Sequence, residues 1–269
     1  MAESKDAADQ ERFAELQKLA KEWMERLLVR YPELTVEHRG VPPERNALRQ
    51  LHDLMGRFPP SLNTLRYGAS WRLSERMDAG SDPTLREWVA SNAGLLEELR
   101  AIGIMPDRSM EGLDAESQQF LMMCVRLPDI LFLDADVAMA DKDYSRALSS
   151  LMAAKGIAGH LLGAEAPDIH QANTGFMLEG TLRRYVLDVV MEQLPPGEFE
   201  SGGWENLARP AMRDAADFSR LVLGSYHYNS SEYLLPTLSN PAEARLPYDA
   251  DELVETYTRL AAGVVRDNT

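Results

Sequence analysis

The sequence predicts an all-α protein, built as an irregular multi-helix bundle or a helical-hairpin array of about eight to ten helices. Three observations support that fold class. Apolar residues recur at intervals of three and four along most of the 269-residue chain. Proline and glycine interrupt this pattern where helices would end. The alternation that indicates β-strands is nearly absent, and the short segment 34–41 is the only fair candidate.

Local signals at helix ends place the expected elements. Pro32 ends the first run, and Pro128 separates two later ones. Asp82 is expected to cap a helix whose first position is Pro83, and Asp143 to cap another. The expected helices cover residues 8–31, 43–58, 82–99, 114–126, 129–140, 144–162, 168–194, 204–224 and 250–266. Short helices at 69–78 and 230–235 are additional candidates.

The chain gives no sign of a domain boundary, because its composition does not shift and no fixed-period repeat occurs. We expect one helical domain over residues 11–269, after a start at 1–10 that is either disordered or artificial. That start is polar, without the apolar core of a signal peptide. The chain as it stands therefore suggests the cytoplasm, and removal of an N-terminal anchor or signal would make it extracytoplasmic.

The net charge of −15 narrows the range of partners. A field of this sign repels phosphate backbones and anionic membrane surfaces, so we expect no nucleic-acid partner. No stretch approaches about 18 consecutive apolar residues, so we expect no membrane insertion within this chain. The single cysteine, Cys124, permits no intrachain disulfide and is expected to be buried and inert.

The segment ILFLDADVAM, residues 130–139, raises the question of a metal site. An apolar run before Asp134 and Asp136 is how sugar-nucleotide transferases present two carboxylates to a divalent cation. Those enzymes need strand–helix units upstream, and residues 1–129 show helical patterns instead. If 129–140 is a helix, the aspartates are charges on a solvated face or at a helix end. A cation site at Asp134 and Asp136 stays as an alternative.

The remaining chemistry-bearing residues form no recognisable catalytic set. The chain has no phosphate-binding glycine loop, no Gly-x-Ser-x-Gly and no His-Glu-x-x-His. His160, Glu165 and His170 are five residues apart, a spacing that separates ligands on a helix. Arg183 and Arg184 are candidates for an acidic partner or a phosphate. The catalytic residues are therefore unknown, no cofactor is expected, and a non-enzymatic role is favoured.

Small residues mark residues 144–162 as a segment that packs closely against a neighbour. Ala147, Ala154 and Ala158 lie on one stripe of the expected helix. Gly156 and Gly159 each lower helix propensity by about 1 kcal/mol relative to alanine. Tight packing against another helix would compensate for that cost.

The segment GSYHYNSSEY, residues 224–233, is the candidate ligand site. Gly224 is expected to end a helix in a left-handed conformation and to expose the next side chains. Aromatic and titratable groups at such a break suit ligand binding. The expected ligand-binding residues are Tyr226, His227, Tyr228 and Asn229.

The segment ADKDYSRALSSLMAAKGIAGHLL, residues 140–162, resembles the joint between two helices of a tetratricopeptide-type unit. Tyr144, Ala147 and Leu148 follow its acidic turn. Extended over 135–190, it resembles a region of all-helical bacterial proteins of planctomycete type. Many of those proteins carry an N-terminal membrane anchor and an extracytoplasmic helical domain. The resemblance implies helical hairpins and transfers no catalytic residue.

Two functions follow from these observations. The first is a soluble, non-enzymatic helical module that binds another protein or acts as a scaffold. The second is a small-ligand-binding protein or an enzyme with a pocket between helices, using a divalent cation at Asp134 and Asp136.

Overall fold

The protein is described from a computed structural model. It describes residues 24–59, 79–111, 118–198, 203–212, 215–229 and 250–268, with Lys18, Glu22 and Leu113. These residues form helices and connecting turns, and none of them belongs to a β-strand. The predicted all-α class is confirmed. The strand candidate at 34–41 is wrong, because a 3-10 turn at Pro32–Leu34 leads there into irregular chain.

The helices are numbered α1 to α9 in chain order. The described continuous part of α1 covers 24–30. The bounds of the others are Ala47–Met55 for α2, Pro83–Ser91 for α3, Ala93–Gly103 for α4, Gln118–Ala140 for α5, Tyr144–Leu162 for α6, Ile169–Tyr185 for α7, Ala215–Asn229 for α8 and Ala250–Asn268 for α9. A π-helical turn at Val186–Val190 and a last turn at Met191–Gln193 continue α7. Further 3-10 turns lie at Pro43–Arg45, Ala79–Ser81 and Trp204–Ala208.

Contacts between residues divide the chain into two compact units. Unit 1 comprises Met1–Glu37, Glu165–Ile169 and Asp214–Thr269, with helices α1, α8 and α9. Unit 2 comprises His38–Ala164 and His170–Arg213, with α2 to α6 and nearly all of α7. Each unit has its own hydrophobic core. The single domain expected over 11–269 stays a prediction, and residues 1–10 lie outside the described ranges.

Unit 2 is built around α5, whose side chains are buried on every side from Ile130 to Met139. A helix that is apolar all round belongs in the interior of a protein. Pro128 lies inside this helix instead of separating two helices as predicted. The proline costs about 3 kcal/mol of helix stability, which the burial of the flanking turns offsets. The expected start at Asp114 lies outside the described residues.

A tight turn joins α5 to α6 and makes them a helical hairpin. Lys142 takes a left-handed conformation with φ of 60°. The Lys142 amide donates to the Met139 carbonyl at 3.0 Å, and the Asp143 amide donates to the Ala138 carbonyl at 2.8 Å. These two bonds form a Schellman motif, here with lysine in the position usually taken by glycine. Asp143 then caps α6, as predicted, by accepting from the Arg146 amide at 3.1 Å.

The small residues of α6 allow α4 to approach closely. A Cβ added to Gly156 would lie 1.7 Å from the carbonyl oxygen of Gly103, and one added to Gly103 would lie 2.5 Å from that of Ala153. The predicted close packing is therefore confirmed at Gly156. Gly159 has no such neighbour, since nothing lies within 4 Å of its Cβ position.

Several predicted helix bounds need correction. The helix expected over 82–99 is two helices, α3 and α4, which meet at Asn92. Asp82 does cap α3, accepting from the Thr84 amide at 2.8 Å. Pro43 starts a 3-10 turn, and Asn46 caps the following helix by accepting from the Leu48 amide. The helices expected at 69–78 and 230–235 lie outside the described residues. None of the described helices has both the length and the apolar content needed to cross a bilayer.

Candidate ligand pocket

A cleft of about 410 Å³ opens between α3, α4, α5 and α6, entirely within unit 2. Its volume is in the range of small-molecule sites. Its walls combine apolar side chains with arginines and carboxylates. The lining residues are Arg86, Glu87, Val89, Ala90, Ala93, Leu96, Arg100, Asp134, Val137, Asp141 and Arg146.

Asp134 is the buried carboxylate at the wall of this cleft. It is 0% exposed, and both of its oxygens accept hydrogen bonds. Arg100 Nη1 donates to Oδ2 at 2.6 Å, and the Ser150 hydroxyl donates to the same oxygen at 2.5 Å. Arg146 donates to Oδ1 from Nε, at 3.0 Å, and from Nη2. The buried charge is thus paired and hydrogen-bonded, as a charge in an apolar interior must be.

Arg100 and Arg146 keep donors that their contacts with Asp134 do not use. Nε and Nη2 of Arg100, and Nη1 of Arg146, donate to no group in the described part of the chain. The two side chains are 21% and 32% exposed, and both line the cleft. Because two guanidinium groups share one carboxylate, this cluster carries a net charge of about +1.

The other charged residues of the wall are Arg86 and Glu87 on α3 and Asp141 just after α5. Arg86 Nη2 donates to Asp141 Oδ1 at 2.6 Å, and its Nη1 donates to the Gly80 carbonyl at 2.8 Å. That ion pair is neutral overall. Glu87 is exposed and forms no ion pair with any described residue. The cleft therefore has a positive excess at Arg100 and Arg146 and a negative charge at Glu87.

Asp136 has different surroundings from Asp134. It is 4% exposed, and its Oδ1 accepts from the hydroxyl of Tyr185 at 2.5 Å. Residues two apart on a helix point about 200° apart, so the two carboxylates do not converge. The expectation that they lie on a solvated face is wrong, since both are buried. Tertiary partners on α4, α6 and α7 make that burial tolerable.

The positions of Asp134 and Asp136 argue against a divalent-cation site at these two residues. Asp134 and Asp136 lie inside a helix, without the strand end on which a transferase holds its cation. Within the described ranges, no group of three or more His, Cys, Asp or Glu side chains is arranged to hold a metal ion.

Cys124 is buried, as expected, and burial raises the pKa of its thiol.

The ligand site expected at residues 224–233 was based on a helix end at Gly224, and residues 230–233 lie outside the described residues. Helix α8 continues through Asn229, so the helix end predicted at Gly224 is wrong. Gly224 serves close packing within unit 1, because an added Cβ would lie 2.3 Å from the Pro167 carbonyl oxygen. That contact explains the glycine without a left-handed turn.

Tyr226 and His227 contribute to packing within unit 1. The Tyr226 hydroxyl lies 3.0 Å from Thr258 Oγ1, and its ring lies 5.5 Å from that of Tyr257. His227 Nε2 donates to the Leu34 carbonyl at 2.7 Å. The exposed break that motivated a ligand site is absent there. The side chains of Tyr228 and Asn229 lie outside the description.

The other sequence candidates also have local partners. Arg183 pairs with Glu179 at 3.5 Å, and Arg184 pairs with Asp188 at 3.2 Å, each one helical turn away. His160 is buried, and its Nε2 donates to the Ile102 carbonyl at 3.1 Å. These contacts favour the acidic-partner interpretation of the two arginines over a phosphate site.

Sequence reasoning missed Arg86, Arg100 and Arg146. The available signal was Asp134 itself, since a carboxylate at the centre of an apolar helix requires a cationic partner. That signal predicts the kind of partner but does not identify it. Arg100 is 34 residues away in the chain, and helical periodicity carries no information on such pairings.

Comparisons with known proteins identify no relative. No family model matches the chain, and no curated protein sequence or solved structure gives a significant match. The resemblance of residues 135–190 to tetratricopeptide-type helical hairpins stays a prediction.

Proposed function

We propose that unit 2 binds a small ligand through an anionic group, and that Arg100 and Arg146 contact that group. The observation that carries the proposal is the pair of guanidinium groups with unused donors on the wall of a cleft. A planar guanidinium offers two parallel N–H donors to a carboxylate or phosphate, and such charge-assisted bonds are strong.

The contacts of Asp134 hold these arginines in place before any ligand arrives. Arg100 and Arg146 are each fixed by hydrogen bonds to a carboxylate that is itself fully buried. Binding then costs less side-chain entropy than it would with mobile surface arginines. Neutralising Asp134 accounts only for the donors that face it. It does not explain why the remaining donors of the two arginines line a cleft.

Binding is favoured over catalysis by the composition of the wall. The eleven lining residues are arginines, carboxylates and apolar side chains, without histidine, cysteine, serine or lysine. Five of the six charged lining residues are already engaged in ion pairs, and Glu87 is the exception. No nucleophile paired with a base is available among these eleven residues.

Calorimetric titration tests the anion site. The probes are monocarboxylates from acetate to benzoate, together with inorganic phosphate. We expect one-to-one binding of at least one probe, weakened about tenfold by Arg100→Lys. The lysine retains a charge for Asp134 and removes the two unused donors, so the fold is expected to persist.

Arg183→Lys is the matched control for this titration. Arg183 is an exposed arginine of the same unit, outside the cleft, with its own partner one turn away. We expect it to bind the probes as the wild type does. Absence of binding by every probe, or equal losses in the two variants, would contradict the anion site.

A protein-interaction module is the second candidate function. It is supported by large apolar side chains that α7 and its continuation expose, between 44% and 68% of their surface. These are Phe176, Met177, Leu187 and Met191. Large apolar side chains exposed along one helical segment are candidates for contact with another protein.

Site-specific photo-crosslinking tests this candidate. A photoreactive phenylalanine analogue at Leu187 is expected to yield a discrete protein adduct in cells. The same analogue at the exposed neighbour Glu192 is the control and is expected to yield none. Identical adduct patterns at the two positions, or none at either, would count against an interaction surface on α7.

A further inference from the structure

Resting on the anion site proposed above, we infer that the ligand of the unit 2 cleft is a zwitterion with an apolar body. In this assignment Arg100 and Arg146 bind a carboxylate, Glu87 faces a cationic amine, and the apolar wall contacts the rest. Free amino acids with apolar side chains are the chemical class that fits.

The charges around the cleft are the first argument. Arg100 and Arg146 together with Asp134 carry a net charge of about +1, and the Arg86–Asp141 pair is neutral. Glu87 carries a negative charge that no described residue pairs with. The wall as a whole therefore carries charges of both signs that sum to zero. A ligand with one charge of each sign can pair with Glu87 and with the two arginines. A dianion would be repelled by Glu87, and the neutral wall would not balance its charge.

The apolar part of the wall is the second argument. Val89, Leu96 and Val137 line the cleft and are between 1% and 4% exposed, so they form a rigid apolar surface. Ala90 and Ala93 add small side chains that leave room in the cleft. An aliphatic or aromatic group placed there would leave water, and it would cover accessible wall area mainly at the exposed Ala90 and Ala93.

The charge of the whole protein is the third argument. A net charge of −15 repels any ligand with a net negative charge as it approaches. A zwitterion has no net charge and avoids that repulsion, while its carboxylate still gains the local attraction of two arginines. The long-range field and the local site thus favour the same class of molecule.

Two matched probe series separate the two ends of the ligand. The first consists of leucine, 4-methylpentanoate, which lacks the amine, and 3-methylbutylamine, which lacks the carboxylate. The second is the corresponding phenylalanine series. In titrations of the full chain we expect the amino acid of at least one series to bind at least threefold more tightly than either analogue.

Glu87→Gln is the decisive variant, and Glu97→Gln is its control. Glu97 is exposed on the neighbouring helix α4 and does not line the cleft. We expect Glu87→Gln to abolish the advantage of the amino acid over the carboxylate analogue, because the amino acid loses its partner for the amine while the analogue binds at least as tightly as before. Glu97→Gln is expected to leave that advantage unchanged.

The outcomes distinguish this inference from the function on which it rests. If the carboxylate analogues bind as tightly as the amino acids, or if Glu87→Gln leaves their ratio unchanged, the zwitterion is wrong and the anion site stands. If none of the carboxylate-containing probes binds, or if the amines alone bind, both the zwitterion and the anion site are overturned.

Discussion

Asp134 is the residue on which the arrangement of the cleft depends. Its carboxylate is fully buried, and its three partners lie on α4 and α6. Replacement by asparagine would leave the partly buried guanidinium groups of Arg100 and Arg146 beside a neutral amide, without a negative charge to pair with. We expect Asp134→Asn to lower the free energy of unfolding by about 3 kcal/mol, measured by urea denaturation.

The control for this variant is Asp188→Asn. Asp188 is an exposed aspartate whose partner, Arg184, lies one turn away on the same helix. Exposed pairs of this kind contribute about 0–1 kcal/mol, so we expect little change. Equal losses of unfolding free energy in both variants would show that burial does not make the charge of Asp134 more costly to remove than that of an exposed aspartate.

His160 gives unit 2 a dependence on pH. Burial, with a smaller contribution from Arg108, lowers the pKa of this histidine from 6.5 to about 4. Its Nε2 donates to a carbonyl, and its Nδ1 has no hydrogen-bond partner among the described residues. The folded protein therefore resists protonation at this side chain.

The sign of the pH effect follows from linkage. The unfolded chain takes up a proton near pH 6.5, whereas the folded chain does so only near pH 4. The contribution of neutral His160 to the free energy of unfolding is therefore fully present above pH 6.5. It is lost as the pH decreases toward 4, by about 3 kcal/mol in total. We expect His160→Gln to remove this part of the pH dependence in unfolding experiments. Parallel stability curves for wild type and variant across that range would contradict the assignment.

Residues with local partners could be predicted from the sequence, and residues with distant partners could not. Asp82 and Asp143 were predicted as caps because a cap bonds amides two or three residues away. The burial of Asp134 and Asp136 was not predicted, because it depends on Arg100 and Tyr185 on other helices. Short-range periodicity cannot identify such pairs.

At the scale of elements, the crossing of α4 and α6 determines how closely unit 2 packs. The Gly103 carbonyl occupies the space that a side chain at position 156 would need. We expect Gly156→Ala to destabilise the protein by about 2 kcal/mol or more, because one of the two helices must shift. Thermal or urea unfolding measures the change.

Gly159→Ala is the matched variant on the same helix. Nothing lies within 4 Å of its Cβ position, so alanine meets open space. We expect a stabilisation of about 0.5–1 kcal/mol, from the higher helix propensity of alanine. Effects of the same sign at the two glycines would contradict the described crossing.

Helix existence was easier to predict than helix ends. The periodic segment 144–162 coincides with α6, and the segment 250–266 is α9 with an end two residues later. Errors occurred at Pro128 and Gly224, two residues that commonly end helices. In both places tertiary packing overrides the local preference: Pro128 lies in a buried helix, and Gly224 lies against the Ala166–Pro167 carbonyls.

At the scale of the whole molecule, the division into two units could not be read from the sequence. Unit 1 is assembled from three separate stretches of chain, one of them only Glu165–Ile169. Both units are helical and have similar apolar patterns, so composition does not change where the chain passes from one to the other. Their cores consist of different residues, and only the folded contacts reveal this.

Side-chain NMR observes the unused guanidinium donors in the cleft of unit 2, directly at Arg100 Nε and through the neighbouring Nε–H at Arg146. The isotopically labelled protein would be titrated with leucine and with 4-methylpentanoate while the arginine Nε–H resonances are recorded. We predict that Arg100 and Arg146 shift and saturate with one dissociation constant, while Arg183 and Arg184 stay unchanged. Unmoved resonances of Arg100 and Arg146, or equal drift of all four arginines, would contradict the proposed site.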